Sequence, residues 1–173
     1  MKELMPYNRE LAVNYAKAWA LGRNPTYQDY EQWGGDCTNF ISQCIKAGKI
    51  PFDNTGNDIM KKWYWYSDSK RTPSWTAAEA FYKYIIGNNN ENTDSFGVYA
   101  RMANYNELEL GDLVQLVYGG KAYHNMIITE VILDGDYLID YLICQHTYDL
   151  LDYPLSLKEG EKRYIKILGY YGW

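Results

Sequence analysis

The sequence is poor in the features that mark several common protein classes. No apolar run approaches the roughly 20 residues that a membrane-spanning helix needs, so no helical span is expected. The three cysteines, Cys37, Cys44 and Cys144, are too few and odd in number for a disulfide framework. Cys37 and Cys44 lie two helical turns apart and should not reach each other. There is no Cys-x-x-Cys, no His-x-x-x-His, no phosphate-binding glycine loop, no Gly-x-Ser-x-Gly and no calcium loop. A zinc site assembled from Cys37, His124, His146 and Cys144 or Asp149 is poorly spaced, and neither a metal nor an organic cofactor is expected. Basic residues are in deficit, 17 against 22 acidic ones for a net charge of −5, which argues against binding nucleic acid through its phosphates. The opening Met1-Lys2-Glu3-Leu4-Met5-Pro6-Tyr7 lacks the basic segment and apolar stretch of a secretory signal. That fits either a cytoplasmic protein or a trimmed domain from the cell wall or exterior.

What is present reads as one globular domain over residues 1–173, expected to be monomeric. Hydrophobic residues make up 47% and charged ones 23%, which supports a packed core. Aromatics are abundant, with 19 Tyr and 6 Trp against 4 Phe, and flat side chains with polar tips suit a sugar- or peptide-binding groove as well as a core.

The helical portion spans about residues 7–87. Asn8 is placed to cap a helix reaching Leu21, with Leu11, Tyr15 and Trp19 at helical spacing, and Gly22 and Asn24-Pro25 stop it. Gly34-Gly35-Asp36 breaks the chain before a second helix from Cys37 to Ala47, whose stripe is Phe40, Ile41, Cys44 and Ile45. Residues 49–75 are irregular and too long for a passive connection. Their Trp63-Tyr64-Trp65-Tyr66 run suits either core packing or stacking on sugar rings. Thr76 with Glu79 reads as a capping box opening a third helix to Ile86, closed by Gly87-Asn88-Asn89-Asn90. The sheet portion, about 110–170, holds strands at Asp112–Tyr118, Ala122–Leu133, Tyr137–His146 and Arg163–Gly169, with turns at Gly119-Gly120 and Asp134-Gly135-Asp136. Helices followed by an antiparallel sheet make an α+β fold.

Chemistry concentrates on few residues. Cys37 follows two glycines and opens a helix, where the dipole favours a thiolate and the backbone amides face an oxyanion. The bland alternative is a small core cysteine. A thiol nucleophile needs a base, and only His124 and His146 are available. A hairpin centred on Gly135 sets His124 opposite His146, so that one could be the base and the other its orienting partner.

The block Trp33-Gly34-Gly35-Asp36-Cys37-Thr38-Asn39-Phe40-Ile41-Ser42-Gln43 resembles the signature of the bacterial "putative amidase domain" family, itself similar to NlpC-type and CHAP-type amidohydrolases and the papain-like peptidases. Supporting matches run through Tyr7-Asn8-Arg9, Asn24-Pro25, Pro73-Ser74-Trp75-Thr76, Leu110 to Leu116, Tyr123-His124, His146-Thr147, Asp149 and Pro154-Leu155. Asn125 departs from the pattern, which has a small residue after the histidine, and is expected to make the rim bulkier and more polar.

The resemblance implies a papain-like or NlpC-like fold with Cys37 as nucleophile, His124 as base and His146 as the third polar residue. Asp36, Asn39, Trp33 and Trp75 are motif positions expected on the substrate side, with loop bracing or capping the alternative for Asp36 and Asn39. The implied activity is hydrolysis of a peptide amide, the implied partner bacterial cell-wall (peptidoglycan) peptide. An acyltransferase or deamidase would use the same thioester. A non-catalytic glycan- or peptide-binding module would use the aromatic loop.

Overall fold

The computed structural model describes residues 3–87 and 96–172. It has the α+β order expected. Strand β1 (Glu3–Met5) precedes helices α1 (Arg9–Trp19) and α2 (Cys37–Ala47). A small hairpin, β2 (Trp65–Ser67) and β3 (Lys70–Arg71), leads into α3 (Pro73–Thr76) and α4 (Ala78–Gly87). Strands β4 (Gly97–Met102), β5 (Leu113–Tyr118), β6 (Lys121–Asp134), β7 (Tyr137–Gln145), β8 (Leu150–Pro154) and β9 (Glu161–Gly172) complete the chain. Its larger sheet is antiparallel in the order β1-β9-β5-β6-β7-β8, with β4 also paired to β9. Among the described residues no helix is long and apolar enough to cross a membrane.

Helix α1 starts where Asn8 accepts a hydrogen bond from the Leu11 N–H at 3.0 Å, and it buries the small residues Ala12 and Ala16. Helix α2 is buried along its length from Cys37 to Ile45, a central helix between α1 and the sheet rather than a surface one. Its apolar stripe joins Ile127, Cys144, Ile165 and Ile167 in one core on the helical face of the sheet. A second core, with Val114, Met126, Ile128, Tyr141 and Ile143, occupies the opposite face.

Two expectations about the helices change. The helix read from Thr76 to Ile86 is two: Pro73 opens a one-turn helix, Ala77 is extended, and α4 begins at Ala78. Thr76 and Glu79 form no capping box. The Thr76 hydroxyl accepts from Arg71 at 2.9 Å, and Glu79 accepts from the Ala122 N–H and from Arg163, both at 3.0 Å. The expected stop at Asn88-Asn89-Asn90 lies outside the described residues. The loop at 49–75 is folded on itself, and its tryptophans are structural: Trp63 and Trp75 are fully buried, ring centroids 4.8 Å apart. That assigns much of the Trp63–Tyr66 run to packing, with only Tyr66 well exposed. The sheet also gains β1, β4 and β8.

Candidate active site

Cys37 is the first residue of α2. Both preceding glycines hold positive φ, +102° at Gly34 and +112° at Gly35, and a Cβ on Gly35 would approach the Thr147 hydroxyl to 3.1 Å. The turn therefore requires glycine, and it delivers Cys37 directly onto a helix N-terminus. The Cys37 N–H makes no hydrogen bond among the described residues, which leaves a donor free beside the sulfur. The sulfur lies 3.7 Å from the Thr38 hydroxyl, and the backbone N–H groups of Thr38 and Asn125 are near enough to favour its charged form.

The low thiol pKa expected at a helix mouth is not what this environment produces. Burial pushes the Cys37 thiol up, against the smaller opposing effect of these three donors, and only 8% of the residue is exposed. Desolvation outweighs the dipole because the charged form would sit in a nearly closed site.

The Asn125 amide at the sulfur brings β6 against the mouth of α2, one residue beyond His124. The structure contains no direct hydrogen bond between Cys37 and His124; the imidazole is carried next to the residue whose amide meets the thiol. Asn125 is not at the rim as expected. It is fully buried, its Nδ2 donating to the Thr38 hydroxyl at 2.9 Å and its Oδ1 accepting from Gln115 at 2.8 Å. The larger residue is accommodated because its amide is bonded at both ends, stitching β6 to α2.

His146 does not face His124. The β6–β7 hairpin pairs Asp134 with Tyr137 and Ile127 with Cys144, so the turn has two residues and the ladder is one residue out from a hairpin centred on Gly135. A one-residue slip exchanges the faces of a strand. The residue brought to His124 is accordingly Gln145, whose Oε1 lies 2.8 Å from His124 Nε2.

The orientation of this amide is determined. Gln145 Nε2 donates to the carbonyls of Thr147 at 3.0 Å and Tyr148 at 2.8 Å, so Oε1 must be the atom facing the ring. An oxygen acceptor requires Nε2 of His124 to carry the proton, which leaves Nδ1 as the basic nitrogen. Thr147 and Tyr148 both hold positive φ, near +63° and +61°, an uncommon pair of conformations that turns their carbonyls toward the amide. Burial pulls the imidazole below its ordinary value, helped by the Lys158 charge and opposed by the Gln145 bond. Gln145 is the partner of His124 that sequence reasoning missed; the signal available was its position next to His146 on a strand whose register was one residue off.

His146 lies on the other side of the loop that precedes Cys37. Its Nδ1 is 2.5 Å from Asp36 Oδ2 and its Nε2 2.7 Å from the Trp19 carbonyl, with its ring stacked on Phe40 at 4.0 Å. Asp36 is fully buried and does not cap α2. Its Oδ1 accepts from the Tyr30 N–H at 2.9 Å and from Asn39 Nδ2 at 2.8 Å, and Arg23 Nε stands 3.4 Å from Oδ2. Asn39 in turn donates to the Gln28 carbonyl and accepts from the Trp75 indole, both at 2.9 Å. Asp36, Asn39 and Trp75 are therefore sealed beneath the loop as braces rather than exposed to substrate. Of the four residues expected there, Trp33 alone is open, with 76% of its surface exposed. Among the described residues no group of three His, Cys, Asp or Glu side chains is arranged to hold a metal ion.

Comparison with known proteins adds the following. The family described as "Putative amidase domain" matches residues 6–168. The uncharacterized protein YjcM of Bacillus subtilis is 29% identical over 169 residues, which cover 92% of this chain and 36% of that protein. The uncharacterized protein YhbB of Bacillus subtilis is 31% identical over 144 residues, covering 83% of this chain and 42% of that protein. The chain thus spans less than half the length of these relatives. No solved structure matches.

Proposed function

The chain belongs to the "Putative amidase domain" family, and from that premise we propose a cysteine-dependent amidohydrolase with a papain-like site: Cys37 as nucleophile, His124 as base and Gln145 as the residue that orients the base. The observation that carries the reading is the one-way hydrogen-bond chain from the Thr147 and Tyr148 carbonyls through Gln145 to His124, which reserves Nδ1 for the thiol.

Burial favours the neutral form of both groups, so the thiol proton passes to His124 Nδ1 as the sulfur attacks the amide carbon. The carbonyl oxygen takes up the negative charge, with the free Cys37 N–H as a donor for it. Collapse breaks the C–N bond, and Nδ1 returns the proton to the departing amine. Water then adds to the thioester with Nδ1 again taking a proton; the acid leaves and the thiol is restored.

The substrate class we attach to this chemistry is a peptide amide of bacterial cell-wall material. Digestion of purified cell-wall peptides followed by mass analysis tests it directly. The wild-type protein should generate new carboxyl and amine ends, and Cys37→Ala and His124→Ala should generate none. Equal turnover by Cys37→Ala would overturn the mechanism. Products joined to an added amine rather than to water would identify an acyltransferase using the same thioester.

A further inference from the structure

Two consecutive residues that are not glycine, Thr147 and Tyr148, hold left-handed backbone at φ +63° and +61°. A β-branched threonine is disfavoured there, so neighbouring contacts must hold the turn. Packing of Tyr148 does not supply them, since 87% of that residue is exposed. They come from the residues on either side of it. Arg23, just past the end of α1, grips both carboxylate oxygens of Asp149: Nη1 donates to Oδ2 at 2.8 Å and Nη2 to Oδ1 at 3.1 Å. The Thr147 hydroxyl donates to Glu31 Oε2 at 3.0 Å, and Arg23 Nη2 stands 3.6 Å from the same oxygen. One guanidinium thus anchors both flanks of the turn.

Thr147 meets both halves of the candidate site. Its hydroxyl accepts from the N–H of Asp36, the residue immediately before Cys37, at 2.9 Å. Its carbonyl accepts from Gln145 Nε2 at 3.0 Å, one of the two bonds that turn Gln145 Oε1 toward His124. The hydroxyl is used once as acceptor and once as donor, so its direction is fixed. Gly35 keeps the approach open, since a Cβ there would lie 3.1 Å from Thr147 Oγ1. Cys37 and His124 stand on separate elements, α2 and β6, with no hydrogen bond between them among the described residues. The bond from Asn125 to Thr38 ties the two backbones together. The direction of the His124 ring is set through Gln145, and the residue that joins Gln145 to the entry of α2 is Thr147.

We propose that Thr147 is a positioning residue: its hydroxyl and carbonyl together set the Cys37 thiol and the His124 imidazole relative to one another, and Arg23, through Asp149 and Glu31, holds it in place. The assignment deepens the amidohydrolase reading and rests on it for the roles of thiol and imidazole. The pairing of the two groups is measurable without turnover. Burial keeps the thiol protonated, so its reaction with an alkylating agent depends on His124 receiving the proton.

The test reads alkylation of Cys37 by iodoacetamide and cleavage of cell-wall peptides in the same variants. Thr147→Val keeps the β-branched shape and loses both hydroxyl bonds, whereas Thr147→Ser keeps them. Thr147→Val should slow alkylation near neutral pH about tenfold or more, and lower kcat roughly ten- to a hundredfold with KM within about twofold. Thr147→Ser should stay within about threefold of wild type in both measurements. In a His124→Ala background, Thr147→Val should change alkylation by less than about twofold, because the placement it disturbs is already gone. Rates are taken per alkylatable thiol, so loss of folded protein alone does not move them. Wild-type rates in Thr147→Val, equal losses in the Ser and Val variants, or an undiminished effect of Thr147→Val without His124 overturns the proposal. So does a lower melting temperature with unchanged rates per thiol, which would make Thr147 a brace only. The expected alkylation pattern with no peptide cleavage by wild type would remove the amidohydrolase and leave the positioning role. Cleavage indifferent to Thr147→Val would do the reverse.

Discussion

Gln145 decides which nitrogen of His124 is basic, because its own amide is pinned by two carbonyls that only accept. Removing it should leave the imidazole present but free to rotate and change tautomer. Gln145→Ala is expected to lower kcat by roughly ten- to a hundredfold, part of what general acid–base catalysis supplies, while iodoacetamide still alkylates Cys37. Loss of alkylation would point to a collapsed site instead. The pH profile tests the same residue. Burial places the His124 pKa below about 6.5, so the neutral, accepting imidazole persists into mildly acidic solution. The acid limb of kcat/KM should fall below 6.5 and not above it. Linkage has a matching sign: the unfolded chain takes up this proton first as pH drops below about 6.5, so stability falls through that window and levels off beneath the folded pKa. His124→Gln should flatten that slope in urea titrations. At this scale the place of Cys37 at a helix start was readable from its two glycines, and His124 and His146 stood out as the only two histidines. Gln145 was hidden because identifying it needs the length of one turn: a two-residue Gly135-Asp136 connection rather than a three-residue one.

At the scale of elements, the mouth of α2 is held from beneath by groups that never see solvent. Asp36 gathers Tyr30, Asn39, His146 and Arg23, and through His146 it reaches the last turn of α1 at the Trp19 carbonyl. Breaking a buried pair by removing one partner strands the other. His146→Leu is therefore expected to cost about 3–5 kcal/mol in urea unfolding. His146→Asn, which can still present an N–H to Asp36, should recover much of that stability and keep Cys37–His124 turnover in the folded protein. Full stability with abolished turnover in His146→Asn would instead favour a chemical role for His146. Long elements were legible, and α2 occupies the residues its glycines and apolar stripe marked out. Short ones were not. Strand β1 has three residues, too few to show alternation, and β8 contains Asp152 at φ +48° and ends at Pro154, residues that suit an edge. The division between α3 and α4 turns on Ala77, whose side chain carries no helix-stop signal; its extended backbone follows from where Pro73 and Arg71 fix the turn before it.

At the scale of the whole molecule, the α+β order was visible in the switch from helical to alternating patterns, but the connection that docks the helices on the sheet joins residues more than 100 positions apart and has no local signature. Arg9, the first residue of α1, makes that connection. Its Nη1 donates to the Leu110 carbonyl at 2.9 Å and meets Asp112 at 2.7 Å, and its Nη2 donates to the Ile167 carbonyl at 2.5 Å. Asp112 is fully buried and also accepts from the Ile167 N–H at 3.0 Å and the Glu109 N–H at 2.7 Å. One arginine thus closes α1, the turn before β5 and strand β9 into a single joint, on chain remote in sequence from Cys37 and His124. Arg9→Ala leaves the Asp112 carboxylate buried with Lys166 as its nearest remaining cation, at 3.4 Å. The two backbone donors keep the loss near the lower end for a severed buried pair, about 3 kcal/mol in urea unfolding. Because the joint does not touch the site, kcat of the folded fraction should stay within about twofold of wild type, as expected for independent, well-separated positions. A large fall in kcat at full stability would mean instead that the helical layer shifts on the sheet, and that the setting of α2 against β6 depends on Arg9.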